Sequence, residues 1–161
     1  MLSDRLDQAL GHAQRNNKLV AVCYLDLDGF KPINDTYGHK AGDKLLLDVA
    51  KGMQQATRAN DTVARIGGDE FVILLTNLEN IDEYKPVLDR LISSINQAVL
   101  IDANNQVQVT ASIGISIFPV DSENADTLIR FADETMYKSK KSGRNCVTVY
   151  EISPELNAAS T

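Results

Sequence analysis

The sequence predicts an α+β fold: an α/β sandwich whose central, mainly antiparallel five-stranded sheet is flanked by helices. Three observations lead there. The chain has 161 residues, the size of one ordinary domain. Its apolar residues switch between helical and strand periodicity in the order α-β-α-β-β-α-β-α-β. One strand pair is joined by a glycine-bearing hairpin while long helices separate the rest, a pattern that favours a mixed and mainly antiparallel sheet.

Leu2, Leu6, Leu10 and Ala13 recur at helical spacing and predict an amphipathic helix over 3–15. Residues 18–28 are mostly apolar and predict a buried strand, with Leu25 and Leu27 on one side of its end and Asp26 and Asp28 on the other. Residues 29–42 carry Pro32, Asn34-Asp35, Gly38 and Gly42 and look like a loop. A helix over 43–57 has Leu46, Val49, Ala50 and Met53 on one stripe. Strands at 62–66 and 71–75 flank Gly67-Gly68-Asp69-Glu70, a hairpin turn. A second amphipathic helix is predicted over 83–98. Strict alternation over 107–117 then predicts a half-buried strand, with Gln108, Thr110, Ser112, Gly114 and Ser116 facing away from the core. A helix over 125–142 is stopped by Gly143 at C′, and a strand at 146–150 closes the domain. Residues 1–150 form the domain and 151–161 a linker or tail.

Composition narrows the class. The chain is 43% apolar and 24% charged, enough for one sizeable core but not for two independent ones. No apolar run is long enough to span a membrane, and the N-terminal stretch lacks the apolar h-region of a signal peptide. The net charge of −6 argues against a nucleic-acid partner. Cys23 and Cys146 form no CxxC pair and are expected to be buried, reduced thiols of a cytoplasmic protein.

The chemistry-bearing residues cluster in few places. Asp26 ends a buried strand, and Asp69-Glu70 sits at a hairpin tip. Carboxylates gathered at strand ends repel one another unless a cation neutralises them, and hard oxygen ligands suit Mg²⁺ arriving with phosphates. Asp28 is equally well read as a solvated acid. Gly29 permits close backbone approach near a strand end, where successive N–H groups cradle anionic oxygens. Asn34 and Asp43 together supply the donors and acceptors that match a guanine edge. Asp43 also reads as a helix N-cap, and Asn34-Asp35 as a simple turn. Lys138, Lys140, Lys141 and Arg144 complement a helix C-terminus, and Lys140 and Arg144, four apart, would share a face of a continuing helix beside outer phosphates. Arg58 and Asp61 form a weak R-A-N-D motif. Neither a Walker A pattern nor GxGxxG occurs.

Four segments resemble the GGDEF-domain diguanylate cyclases: DLDGFKPINDTYGHKAGD (26–43), RANDTVARIGGDEF (58–71), VTASIGIS (109–116) and FADETMYKSKKSGRN (131–145). They occur in that family's order and spacing and cover most of the chain. The resemblance implies a polymerase-palm fold, similar to that of nucleotidyl cyclases, and condensation of two GTP into cyclic di-GMP. It implies Asp26, the Leu27 carbonyl and Glu70 as ligands of Mg²⁺, with Mn²⁺ as an alternative. Asp69 is implied in catalysis and metal binding, with Glu70. Asn34 and Asp43 are implied as the guanine-reading pair, the backbone at Gly29, Phe30 and Lys31 as the phosphate cradle, and Lys140 and Arg144 as outer-phosphate ligands. Arg58 and Asp61 match the RxxD site for product inhibition, with Arg90 as the candidate second arginine.

The implied catalytic unit is a homodimer with one GTP in each half-site. Two features at the ends of the chain differ from the usual pattern. The family's D-x-L-T-x-L-x-N-R segment is missing before the first helix, so an N-terminal truncation and an upstream sensor domain are expected. The tail VYEISPELNAAS resembles a linker into an EAL phosphodiesterase domain, and a membrane anchor in the parent protein stays open. The alternative is a GTP-binding regulatory module that controls a linked EAL domain without turnover.

Overall fold

Strand β1 (Leu19–Asp28) is hydrogen-bonded along both edges, to β3 (Glu70–Leu78) on one side and β6 (Thr110–Phe118) on the other, both antiparallel. The structure, a computed structural model, describes residues 2–151. Two outer strands complete a five-stranded sheet of order β2-β3-β1-β6-β7, with β2 (Thr62–Gly67) antiparallel to β3 and β7 (Cys146–Val149) parallel to β6. The single parallel pair requires a crossover, which helix α5 (Ala125–Lys141) supplies. The predicted fold class is therefore the observed one. The expected tail, apart from Glu151, lies outside the described residues.

Because β1 is central, its alternating side chains feed two cores. Leu25 and Leu27 join Phe71, Ile73 and Ile113 under α3 (His39–Ala56) and α4 (Tyr84–Ile95). Val20, Val22 and Tyr24 join Val72, Leu74 and Phe118 under α5 and α1 (Leu2–Asn16). These are two apolar layers sharing one sheet, where the composition suggested a single core.

Three predicted elements change. The loop expected over 29–42 is α2 (Phe30–Tyr37) followed directly by the first turn of α3. Its punctuating glycines mark the helix ends: Gly29 and Gly38 have φ of 84° and 93°. Pro32 lies in the first turn of α2, where its missing N–H costs nothing. The helix expected over 83–98 is α4, preceded by a 3₁₀ turn at Ile81–Glu83, and ends early. The chain beyond it turns into β4 (Val99–Leu100), which pairs with β5 (Gln106–Val107) in a small separate ribbon. The strand expected over 107–117 is thus split, and β6 begins at Thr110.

The polar side of β6 is not a solvent face. Ser112 and Ser116 are fully buried against α5. Ser116 Oγ donates to Leu128 O at 2.7 Å, and Ser139 Oγ of the helix donates to Ile113 O at 2.8 Å. A Cβ on Gly114 would run into the backbone of Ala132, Thr135 and Met136. Small and hydroxyl residues alternate here because a helix backbone lies directly on the strand. Gly143 follows the end of α5 with φ 112°, as the sequence predicts. Both cysteines are free, but only Cys23 is buried; Cys146 is part-exposed because β7 is an edge strand. No helix among the described residues is long and apolar enough to cross a membrane.

Gly114→Ala is expected to cost about 3 kcal/mol of stability, since the obstructing atoms are backbone and cannot rotate away. Denaturant unfolding of the variant against wild type measures it.

Candidate active site

The site grows from the C-terminal end of β1. Alternation there sends Tyr24, Asp26 and Asp28 to the α5 side of the sheet. Asp26 lies directly opposite Glu70 in the β1–β3 register, and Leu27 N donates to Asp69 O at 3.1 Å. The hairpin tip is thereby tied to the strand end. Its turn is Gly68-Asp69, with Gly68 at φ 52°, a conformation that favours glycine. Arg65 Nε donates to Gly68 O at 2.9 Å and braces the turn. The structure thus places Asp26, Leu27, Asp69 and Glu70 at the same end of the β1–β3 pair.

Their electrostatics are unbalanced. Asp26 is only 5% exposed. Its Oδ2 accepts from Lys140 Nζ, whereas its buried Oδ1 has no hydrogen-bond partner. Burial holds the Asp26 carboxyl above the usual carboxylate range; Lys140 pulls it back, and neighbouring Asp69 pushes it up again. Glu70 Oε2 accepts from the Tyr24 hydroxyl at 2.7 Å. Burial pushes the Tyr24 phenol up, and the Glu70 carboxylate adds to the rise. Asp133, on α5, is raised by burial and then by the charge of Glu70.

Sequence reasoning missed Tyr24 and Asp133. The signal for Tyr24 was its place two residues before Asp26, on the same strand face.

An orphaned carboxylate oxygen beside further carboxylates fits a hard divalent cation. Among the described residues, no three acidic, histidine or cysteine side chains are placed to hold a metal ion between them. A hard divalent cation that keeps several waters and takes substrate phosphates as ligands needs fewer protein carboxylates than that.

Asp28 is not a solvated acid. It is 7% exposed and accepts from Thr110 Oγ1 (3.0 Å), Ser112 Oγ (2.8 Å) and Asn145 N (2.9 Å). These bonds anchor the turn after α5, where Arg144 and Asn145 have φ of 65° and 48°. Lys140 and Arg144 do not share a helical face, because α5 ends at Lys141. They meet the site another way: Lys140 pairs with Asp26, and Arg144 Nη1 lies 4.0 Å from Asp28 Oδ1. Lys138 and Lys141 belong to the last turn of α5, and Lys141 Nζ sits 4.8 Å from the Tyr137 ring.

Gly29 precedes α2 without any side-chain cap, so the first backbone N–H groups, including those of Phe30 and Lys31, retain donor capacity for an anion. Asn34 lies within α2 rather than in a simple turn, and its side chain packs against Gly42. A Cβ at that position would displace Asn34, which explains the glycine. Asp43 is exposed and lies inside α3, so it is not an N-cap. It lines a cavity of ≈ 500 Å³ with Leu46, Val63 and Phe71.

Arg58 and Asp61 are joined directly. Asp61 Oδ2 accepts from Arg58 Nε at 3.2 Å, Asp61 Oδ1 accepts from Thr76 N at 3.0 Å, and Arg58 Nη2 donates to Thr76 O at 2.7 Å. The Asp61 side chain has no exposed surface, while that of Arg58 is 42% exposed. Arg58 borders a cavity of ≈ 520 Å³ that Arg5, Gln54 and Thr57 also line. Arg90 does not line it; its Nε donates to Ala56 O at 3.4 Å.

A mainly antiparallel sheet thus carries acids on a hairpin tip, with Lys140 and Arg144 facing the end of β1 and uncapped helix N–H groups beside them. The comparisons with known proteins show the family. A family model described as "Diguanylate cyclase, GGDEF domain" matches residues 1–146. The bifunctional diguanylate cyclase/cyclic di-GMP phosphodiesterase MucR of Pseudomonas aeruginosa is 42% identical over 98% of this chain and 23% of its own length. Diguanylate cyclase A of Treponema denticola is 40% identical over 81% of this chain and 35% of its own. The crystal structure of the GGDEF domain of TpbB (YfiN) from Pseudomonas aeruginosa superposes with a TM-score of 0.90 at 33% identity, covering 94% of each chain. The chain belongs to the GGDEF-domain family of diguanylate cyclases. It spans between about a quarter and a third of the length of these two curated relatives.

Asp28→Ala is expected to lower stability by about 3 kcal/mol, because it strips three donors, the buried Ser112 hydroxyl among them, of a buried charged acceptor. It should also loosen the turn that carries Arg144. Denaturant unfolding measures the first effect, and backbone amide exchange at 143–146 the second.

Proposed function

We propose that this domain condenses two GTP into cyclic di-GMP and two pyrophosphates, with one GTP held by each of two facing copies. The observation that carries the reading is the unpartnered Asp26 oxygen opposite Glu70 on the hairpin tip. Asp26, the Leu27 carbonyl, Asp69 and Glu70 would hold Mg²⁺ or Mn²⁺. The ion, when bound, offsets charge on the phosphates and acidifies the attacking hydroxyl.

The chain's own residues do the rest. N–H groups at Gly29, Phe30 and Lys31 cradle phosphate oxygens, and Lys140 and Arg144 take the outer phosphates. Lys140 would exchange its Asp26 contact for a phosphate as the cation takes its place. Asn34 and Asp43 read guanine, and an adenine would leave their polar atoms unpaired. The 3′-hydroxyl oxygen of one GTP forms a bond to the α-phosphorus of the other, whose bond to pyrophosphate breaks. The hydroxyl proton passes to a carboxylate of the tip, Asp69 or Glu70. The second bond forms in the same way with the two roles exchanged. Since each half-site supplies only one nucleotide, a monomer binds GTP without turning it over. Catalysis here is mostly positioning and electrostatics.

Arg58 is the exposed donor for a product phosphate or guanine at a separate inhibitory site, with Asp61 holding it in place. The second arginine there is open: Arg90 was the candidate from the sequence, and Arg5 is the one at the cavity. With GTP as substrate, the domain acts in the cytoplasm. A second reading is a GTP-binding regulatory module beside an EAL phosphodiesterase domain in a longer, sensor-bearing chain. It is favoured by a relative described only as a cyclic di-GMP phosphodiesterase, PdeR of Escherichia coli, 36% identical over 97% of this chain.

Incubation with GTP and Mg²⁺, read by chromatography, should yield cyclic di-GMP with a specific activity that rises with protein concentration. Glu70→Gln should abolish it and weaken Mg²⁺-dependent GTP binding while the fold persists. GTP binding with no product at any concentration favours the regulatory reading. Arg58→Ala should lose cyclic di-GMP binding by about tenfold or more while keeping GTP affinity, a loss in line with one charged hydrogen-bonding group. Calorimetric titration of product, with and without GTP, checks it.

A further inference from the structure

We propose that Tyr24 is a positioning residue of this site: its hydroxyl holds Glu70 by Oε2 and so leaves Oε1 as the oxygen available to a divalent cation. The inference rests on the metal-dependent reading above and adds to it a residue that never touches substrate.

Three features carry it. Tyr24 is 8% exposed and belongs to the apolar layer under α5, with Val72, Ala132 and Met136. Packing alone would be served by a phenylalanine, yet the hydroxyl ends 2.7 Å from Glu70 Oε2. Second, Tyr24 and Asp26 lie on one face of β1, and Glu70 lies opposite Asp26, so Tyr24 and Glu70 are diagonal neighbours across the strand pair. A ring wedged in a core has little freedom, whereas a glutamate at a tip has several rotamers to choose from. The rigid partner therefore sets the flexible one. Third, Glu70 faces like charge from Asp133 on α5, and the nearby cation Lys140 is engaged by Asp26. The neutral Tyr24 hydroxyl is the donor that holds the Glu70 carboxylate against that repulsion.

The test uses the full chain as wild type, Tyr24→Phe, Glu70→Gln and the double variant. Calorimetry measures GTP binding in EDTA and at rising Mg²⁺; thermal unfolding without ligand is run in parallel. Tyr24→Phe should raise the Mg²⁺ concentration for half-maximal GTP binding by about 5- to 20-fold, the loss of one charged hydrogen bond. Binding in EDTA should be unchanged. In the Glu70→Gln background the same substitution should shift nothing further. Equal Mg²⁺ dependence in wild type and Tyr24→Phe would overturn the proposal and leave the metal reading standing. The same fold loss in both backgrounds would also overturn it, by showing that the hydroxyl acts through packing rather than through Glu70. If wild type itself showed no Mg²⁺ dependence, the metal reading would fail and Tyr24 with it.

Discussion

The close seating of α5 on β6 is the constraint on which the site depends. At Gly114 the strand has no side chain, and the backbones of Ala132, Thr135 and Met136 occupy that space. Hydroxyls of Ser116 and Ser139 bond across the contact and fix the helix along the strand as well as against it. With α5 at this height, its last turn reaches the end of β1, and Lys140 meets Asp26. A helix raised by one methyl group would lift Lys140 and the Arg144 turn away from the carboxylates they face.

That seating creates an electrostatic problem by design of the sheet. Alternation sends Asp26 and Asp28 into the layer under α5, where charge is costly. The two acids meet it differently. Asp28 is satisfied by three hydrogen bonds and serves the architecture, holding the turn that bears Arg144. Asp26 is left half satisfied, with one oxygen on Lys140 and the other without a partner. A buried carboxylate in that condition destabilises the domain by itself. The turn at Gly68 and its brace from Arg65 hold Glu70 opposite Asp26 in the strand register.

The half of the site built from α2 and α3 has a separate logic. Gly29 lets the chain leave β1 and enter α2 at once, so the helix starts beside the carboxylates with its first N–H groups uncapped. Gly42 leaves room for the Asn34 side chain against α3. The proposed phosphate cradle and base-reading pair would thus depend on two glycines, Gly29 and Gly42, while acids and cations are positioned by the sheet and α5.

Much of this was legible in the sequence. Period-two alternation at 25–28 placed Asp26 and Asp28 on one face, the glycines at 67–68 marked the hairpin, whose turn is shorter than expected because Gly67 ends β2 and Glu70 begins β3, and Gly143 ended α5 where expected. Local geometry governs each of these, so local sequence encodes it. Tertiary structure decided what depends on the neighbour across the gap. The serines and Gly114 of β6 carry a pattern that suits water or a closely packed helix equally, and only the path of α5 selects the helix. The segment 29–42 looked like a loop because its glycines, which end helices, also make turns. Asp28 and Tyr24 are ordinary residues of a strand until the fold brings Asn145 to one and Glu70 to the other, since burial and partners are properties of the packed chain and not of its order.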